Sequence, residues 1–146
     1  MLDSSVYTFV VPIGRTLAGF IIGIMLGIVG GWIAVIFNAM TGYPWALAVH
    51  QNIYLVGIGL GAGGGAYCGW MNLSLRWYLI LGSLLLVLLG GIAGSYVGYI
   101  YGQHVDPSYL GRRYTIDNTI HFGAAVGGIA VAAALGLLGQ IRSWGH

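Results

Sequence analysis

The sequence predicts an all-α integral membrane protein, a single domain over residues 1–146 that folds as a bundle of four transmembrane helices with glycine-zipper (GxxxG) packing. Hydrophobic residues make up 58% of the 146 positions and charged residues only 5%, against about 25% charged in soluble domains. Four apolar segments approach the length of about 20 residues that a helix needs to cross a bilayer. Glycine, at 27 positions, recurs every four residues in three of these segments.

The N-terminal residues 1–15 are predicted to form a segment that lies along the membrane interface. Their apolar run is too short to cross a bilayer, and Pro12 and Gly14 interrupt it before Arg15. The start lacks the basic region of a signal peptide, so no cleavage is expected.

Four spans are predicted from the continuous apolar runs, at residues 16–40, 53–70, 77–101 and 119–141. A membrane barrel would alternate apolar and polar residues in segments of about ten, and these runs do not alternate. Gly42 and Pro44 break the chain after the first span. The polar stretch 103–118 is predicted to be a loop, and Asp117 or Asn118 at its end is expected to cap the last helix.

The second span has an alternative start at Pro44, which would place His50 inside the helix together with Gln51 and Asn52. Three consecutive polar residues cover most of a helix circumference, so the hydrocarbon boundary is placed near Ile53. At the other end of this span, Cys68 is interpreted as a small core residue and Trp70 as part of an aromatic belt at the interface.

The arginines give the orientation. Arg15, Arg76 and Arg142 fall on the side of the termini, and Arg112 and Arg113 on the other. Cytoplasmic segments of membrane proteins carry an excess of positive charge. Both termini are therefore predicted to be cytoplasmic, in a bacterial inner membrane or an organellar membrane.

The glycine stripes are the most informative pattern. A repeat of four keeps residues on one stripe of a helix, where another backbone can approach closely. The stripes comprise Gly19, Gly23, Gly27 and Gly31 in the first span, Gly57, Gly61, Gly65 and Gly69 in the second, and Gly90, Gly94, Gly98 and Gly102 in the third. They either close the bundle within the chain or, on the second span with its additional glycines, also meet another subunit or a flat cofactor.

The glycines also suggest an internal repeat, although a glycine-rich sequence can match itself by chance. The spacing of Gly57 and Gly61 recurs at Gly123 and Gly127. Each half of the chain would then be a helical hairpin in the same orientation, a parallel repeat of the kind that some transporters use.

Chemistry within the spans is not predicted, and the chain is not expected to be an enzyme. All Asp and Arg residues fall in the predicted termini or loops, whereas ion-driven transporters carry ionisable residues inside their spans. No hydrolase, phosphate-binding or zinc motif is present. The formal net charge of +2 is too small to attract nucleic acid.

Histidine is the remaining candidate for cofactor binding, because a neutral imidazole can ligate haem iron or chlorophyll magnesium. His50 and His121 both lie near the start of an even-numbered span. They are therefore candidate ligands at similar depth, although histidines near headgroups are often simply interfacial. No metal is expected, and lipid is the most plausible bound molecule.

The polar stretch 103–118 offers a docking surface in Asp106, Arg112, Arg113 and Asp117. The arginine pair could hold a lipid phosphate or a peripheral subunit. Alternatively, the arginines pair with the two aspartates and fold the stretch over the bundle.

In helix number and GxxxG usage the chain resembles the mitochondrial inner-membrane translocase family and the related accessory subunit of respiratory complex I. That family places a charged loop between its second and third spans, whereas this chain has only the short turn 71–76. The departure leaves the chain assigned to no family.

The predicted function is that of a non-catalytic structural or accessory subunit of a larger membrane complex, respiratory or photosynthetic. Its expected partners are other membrane subunits or copies of itself, together with lipids. One alternative is a self-assembling, homo-oligomeric pore or small-solute channel. Another is a haem- or chlorophyll-binding membrane subunit.

Overall fold

The computed structural model describes residues 4–41, 47–70, 76–107 and 111–143, and their regular structure is entirely helical. The four helices are α1 (Ser4–Met40), α2 (Leu47–Trp70), α3 (Trp77–His104) and α4 (Arg112–Ser143). The predicted all-helical fold with four helices is therefore confirmed. Three helices contain segments long and apolar enough to cross a membrane: Val10–Met40, Trp77–His104 and Arg112–Gly139. This is consistent with membrane localisation.

The first helix begins earlier than expected. The sequence predicted a break at Pro12, but α1 is continuous from Ser4 and contains this proline. Proline removes one backbone hydrogen bond from a helix, and apolar residues on both sides continue the helical run. The Thr16 hydroxyl donates a 2.8 Å hydrogen bond to the Pro12 carbonyl one turn earlier. The interfacial location predicted for residues 1–15 stays a prediction.

The second helix also begins before its predicted boundary. It starts at Leu47, so His50, Gln51 and Asn52 lie inside α2, as in the alternative that the sequence left open. The predicted break at Gly42 and Pro44 lies outside the described residues.

The predicted loop 103–118 is mostly helical, so the last helix begins earlier than the sequence predicted. α3 runs to His104 and α4 begins at Arg112, after Gly111 with its positive φ of 98°. Asp117 and Asn118 lie inside α4 and do not cap it. Hydropathy indicates where a helix leaves the hydrocarbon, and a polar helix can continue beyond that level.

The helices are arranged with α2 and α4 at the centre. Each of these two contacts all three other helices, while α1 and α3 do not touch each other in the described ranges. Exchanging the first hairpin (α1 and α2) for the second (α3 and α4) leaves this contact pattern unchanged. Such exchange symmetry is what the internal repeat in the sequence predicts.

The glycines of α1 and α2 contact each other. A Cβ atom at Gly65 would lie 2.6 Å from the Ile22 carbonyl oxygen, and one at Gly69 would lie 2.6 Å from that of Arg15. A Cβ at Gly61 would meet the Leu26 carbonyl oxygen at still shorter range. Only glycine allows the two backbones to approach this closely.

The second hairpin repeats this arrangement. A Cβ at Gly90 would lie 2.8 Å from the Gly127 carbonyl oxygen, and one at Gly94 would meet that of Gly123. On the second face of α2, a Cβ at Gly63 would lie 2.8 Å from the Leu88 Cα of α3. The additional glycine at this position therefore contacts a helix of the same chain.

The core contains few polar atoms. The fully buried Ser95 hydroxyl of α3 lies 2.9 Å from the Leu55 carbonyl oxygen of α2 and 2.7 Å from that of Ile92. Because its single hydrogen can be donated to either oxygen, this hydroxyl is satisfied by backbone.

Two side chains at the end of α2 are placed differently from the predictions. Cys68 is exposed, so its assignment to the core is wrong. Trp70 is buried against Gly136 of α4, so it does not belong to an interfacial belt. Only small residues on α4 leave room for an indole between the helices.

Candidate functional site

A hollow of about 510 Å³ lies between the C-terminal half of α1 and the start of α4, and we call it the polar hollow. Its lining residues come from three helices: Ile24, Ile28, Gly31, Trp32 and Val35 of α1, Tyr54 of α2, and Arg113, Tyr114, Asp117, Asn118 and His121 of α4. It brings together three of the residues that the sequence singled out as candidates for docking or cofactor binding, namely Arg113, Asp117 and His121.

These three side chains converge because they are spaced by four along α4. A spacing of four keeps helical residues on one stripe, so all three face the same neighbouring helix. His121 is oriented by its own helix, since its Nδ1 lies 2.8 Å from the Asp117 carbonyl oxygen.

The polar hollow contains one positive and one negative side chain. Arg113 is exposed and Asp117 is half-buried, one helical turn apart. In the part of the chain that the structure describes, the two form no ion pair with each other. A third group that carries both charges could therefore contact both.

Arg112 has a different role from its neighbour. Its Nη1 donates hydrogen bonds of 2.9 Å to the carbonyl oxygens of Gln103 and Val105 at the end of α3. The last carbonyls of a helix lack partners within the helix, and Arg112 supplies one. Asp106 is exposed in the connection between α3 and α4. The predicted docking cluster of four residues is thus divided, and only Arg113 and Asp117 line the polar hollow.

Replacing Arg112 with glutamine is expected to loosen the end of α3. Loss of the two charged hydrogen bonds should lower stability by about 1–2 kcal/mol and speed amide hydrogen exchange near residues 101–105. Exchange measured by mass spectrometry checks this, with Arg113→Gln as the matched control. Equal exchange in the two variants would show that Arg112 does not stabilise this end.

His50 lies in different surroundings from His121. Its Nδ1 is 2.9 Å from the Asn38 side-chain oxygen of α1, and the Asn38 amide nitrogen donates to the His50 carbonyl at 3.3 Å. These contacts join the start of α2 to the end of α1. The two histidines predicted as cofactor ligands are therefore engaged by separate helix contacts.

An apolar hollow of about 560 Å³ adjoins the polar one and shares Ile24, Asn118 and His121 with it. Its other lining residues belong to α3 and α4 and are mostly apolar: Val97, Gly98, Tyr101, Thr119, Phe122, Gly123 and Val126. The two hollows meet at the level of His121.

A groove of about 740 Å³ runs along the outside of the first hairpin, and we call it the α1–α2 groove. Four glycines belong to its lining: Gly30, Gly57, Gly61 and Gly64. The remaining lining side chains are apolar except for Asn52: Leu26, Val29, Ile33, Ala34, Phe37, Val49, Ile53, Val56 and Leu60.

The sequence did not assign Trp32 or Tyr54 to a site. If residues 112–118 had been predicted as helix, Arg113, Asp117 and His121 would have formed one stripe. A stripe of this kind faces a neighbouring helix, so the residues opposite it would then have been candidates as well. Among the residues described, no group of three or more His, Cys, Asp or Glu side chains could hold a metal ion.

Comparison with known proteins adds no family to this description. No family model matches the chain, and no curated protein or solved structure matches it significantly. The hollows, the groove and the charged side chains are therefore the features that bear on function.

Proposed function

We propose that all four helices cross a membrane, that glycine zippers hold them together, and that the chain is a non-catalytic structural subunit of a larger membrane assembly. Three helices are apolar enough to span. The fourth, α2, is surrounded by the other three, so it exposes less surface to lipid and can carry more glycine than a peripheral helix.

The way in which buried polar side chains are satisfied supports a structural role. Two polar side chains deep in the bundle bond to backbone: the Ser95 hydroxyl to the Leu55 carbonyl, and the Tyr67 hydroxyl to the Ile80 carbonyl at 3.2 Å. Such groups rigidify a bundle and offer nothing to a substrate.

The α1–α2 groove is the observation that carries the proposal. Its wall residues Ile33 and Phe37 are 62% and 54% exposed, and glycines form part of the lining. In lipid, helices associate by close van der Waals packing, which small residues permit. The groove therefore suits a transmembrane helix of another polypeptide, which could bury both the glycine backbone and the apolar walls.

The two alternative functions have less support. A water-filled pore needs polar lining, and Asn52 is the one polar side chain among the groove's lining residues. A haem or chlorophyll held by two histidines needs them to face one cavity, and His50 contacts Asn38 while His121 lines the polar hollow.

Filling the groove tests the proposal. A Cβ at Gly64 would meet no atom within 4 Å, so Gly64→Leu should leave the bundle folded while its side chain occupies the groove. Gly82→Leu on α3 is the matched control, since Gly82 is equally open and does not line the groove.

Both variants are expressed in the native membrane and purified in mild detergent. We expect the wild type and Gly82→Leu to retain another membrane polypeptide and Gly64→Leu to lose it, with unchanged helix content. A wild-type chain that purifies alone, or a Gly64→Leu chain that keeps its partner, would refute the proposed role of the groove.

A further inference from the structure

We propose that the polar and apolar hollows together bind one phospholipid with a zwitterionic headgroup. In this arrangement Arg113 binds the phosphate, Asp117 binds the ammonium group, and an acyl chain lies in the apolar hollow. The inference rests on the proposed membrane crossing and not on the proposed role as a structural subunit.

The charges select the headgroup. Arginine matches the geometry of a phosphate with its planar fork of donors. A second, negative side chain one turn deeper would repel the phosphate of an anionic lipid, and it would attract the ammonium of ethanolamine or choline. One cation and one anion in the same hollow are thus complementary to a headgroup that carries one of each.

The aromatic residues of the polar hollow strengthen the match. Trp32, Tyr54 and Tyr114 come from three different helices and line the same space as the charged pair. Aromatic rings attract ammonium groups through their faces, and tryptophan and tyrosine are enriched at headgroup level. The tyrosine hydroxyls can also donate hydrogen bonds to phosphate or ester oxygens.

The two hollows adjoin at the level of His121, so one lipid can occupy both. Arg113 and His121 are eight residues apart on α4, a rise of about 12 Å along the helix. The lining is charged near Arg113 and becomes apolar beyond His121, where Phe122 and Val126 line the second hollow. Since the phosphate joins the headgroup to the glycerol, the ammonium group would turn inward to Asp117 while an acyl chain extends from the phosphate past it into the second hollow.

Native mass spectrometry of the full chain in detergent tests the inference, using three dioleoyl lipids: phosphatidylethanolamine, phosphatidylcholine and phosphatidylglycerol. We expect the zwitterionic lipids to bind about fivefold or more tightly than phosphatidylglycerol, since one charged contact contributes on the order of 1 kcal/mol. Arg113→Gln should weaken zwitterionic binding about fivefold. Asp117→Asn should shift the preference toward phosphatidylglycerol by a similar factor.

The matched controls are Arg76→Gln and Asp106→Asn, whose exposed side chains lie outside both hollows. Both should keep the wild-type preference. Equal binding of the three lipids, stronger binding of phosphatidylglycerol to the wild type, or an unchanged preference in Asp117→Asn would overturn the inference. Because Arg113 is exposed, its variant should retain the helix content measured by circular dichroism, which separates lost binding from lost folding.

Discussion

Replacing Gly61 with alanine is expected to destabilise the bundle by about 2–3 kcal/mol, the upper part of the usual cost of forcing extra volume into a packed interior. The added Cβ would overlap the Leu26 carbonyl oxygen and lie 3.1 Å from the Gly27 Cα. Both neighbours are backbone, so relief requires α1 and α2 to separate along their whole contact.

Gly64→Ala is the matched control, on the same helix and three residues away. Its Cβ would meet nothing within 4 Å, and alanine favours a helix over glycine by up to about 1 kcal/mol. Reversible unfolding in mixed micelles measures both free energies. A Gly61→Ala variant as stable as Gly64→Ala would show that the two helices are not in backbone contact.

Trp70→Ala is expected to cost about 3–5 kcal/mol, the range for removing a large buried aromatic side chain. The side chain is only 6% exposed, and Gly136 leaves the space that its ring occupies. Trp77→Ala is the control, because Trp77 is 72% exposed and its removal opens no cavity. The same unfolding measurement applies, and equal losses at the two positions would contradict the burial of Trp70.

Trp70→Phe separates packing from hydrogen bonding at this position. The buried indole Nε1 has no hydrogen-bond partner in the described structure. Phenylalanine keeps most of the ring contact and removes an unsatisfied donor, so we expect a change within about 1 kcal/mol of the wild type. A loss as large as that of alanine would reveal a hydrogen bond at the indole nitrogen.

Some helix boundaries were predictable because hydropathy changes sharply there. The first helix ends at Met40, the second ends at Trp70 and the third begins at Trp77, as the sequence predicted. The start of α4 was not predictable, because residues 112–118 are polar and hydropathy does not distinguish a polar helix from a loop. The break predicted at Pro12 was wrong for a different reason, since a proline weakens a helix without necessarily ending it.

The pairing of glycine stripes could not be derived from the sequence. A GxxxG repeat identifies the face of a helix that accepts a neighbour, and it does not identify the neighbour. Gly61 could equally well have contacted another helix of the chain or a second molecule. The structure assigns it to Leu26 and Gly27 of α1.

The sequence predicted the charged residues and the histidine of the site among its candidates, but it did not predict how they are arranged. The sequence singled out Arg113, Asp117 and His121, but it grouped Arg113 with Arg112 as a loop pair. On a helix, consecutive residues point about 100° apart, so the two arginines face different surroundings. The contribution of Tyr54 depends on helix packing, which no local pattern specifies.

If the glycine faces pack within one chain, as we propose, a single disulfide between α1 and α4 should form within the monomer. A Cβ at Gly23 of α1 would lie 3.9 Å from the Ala125 Cβ of α4, close to the mean Cβ separation of about 3.8 Å in disulfides. Gly23→Cys and Ala125→Cys are combined in a Cys68→Ser background, oxidised in the membrane and run on a non-reducing gel. We predict quantitative cross-linking within the monomer; disulfide-linked dimers, or no cross-link at all, would contradict the bundle described here.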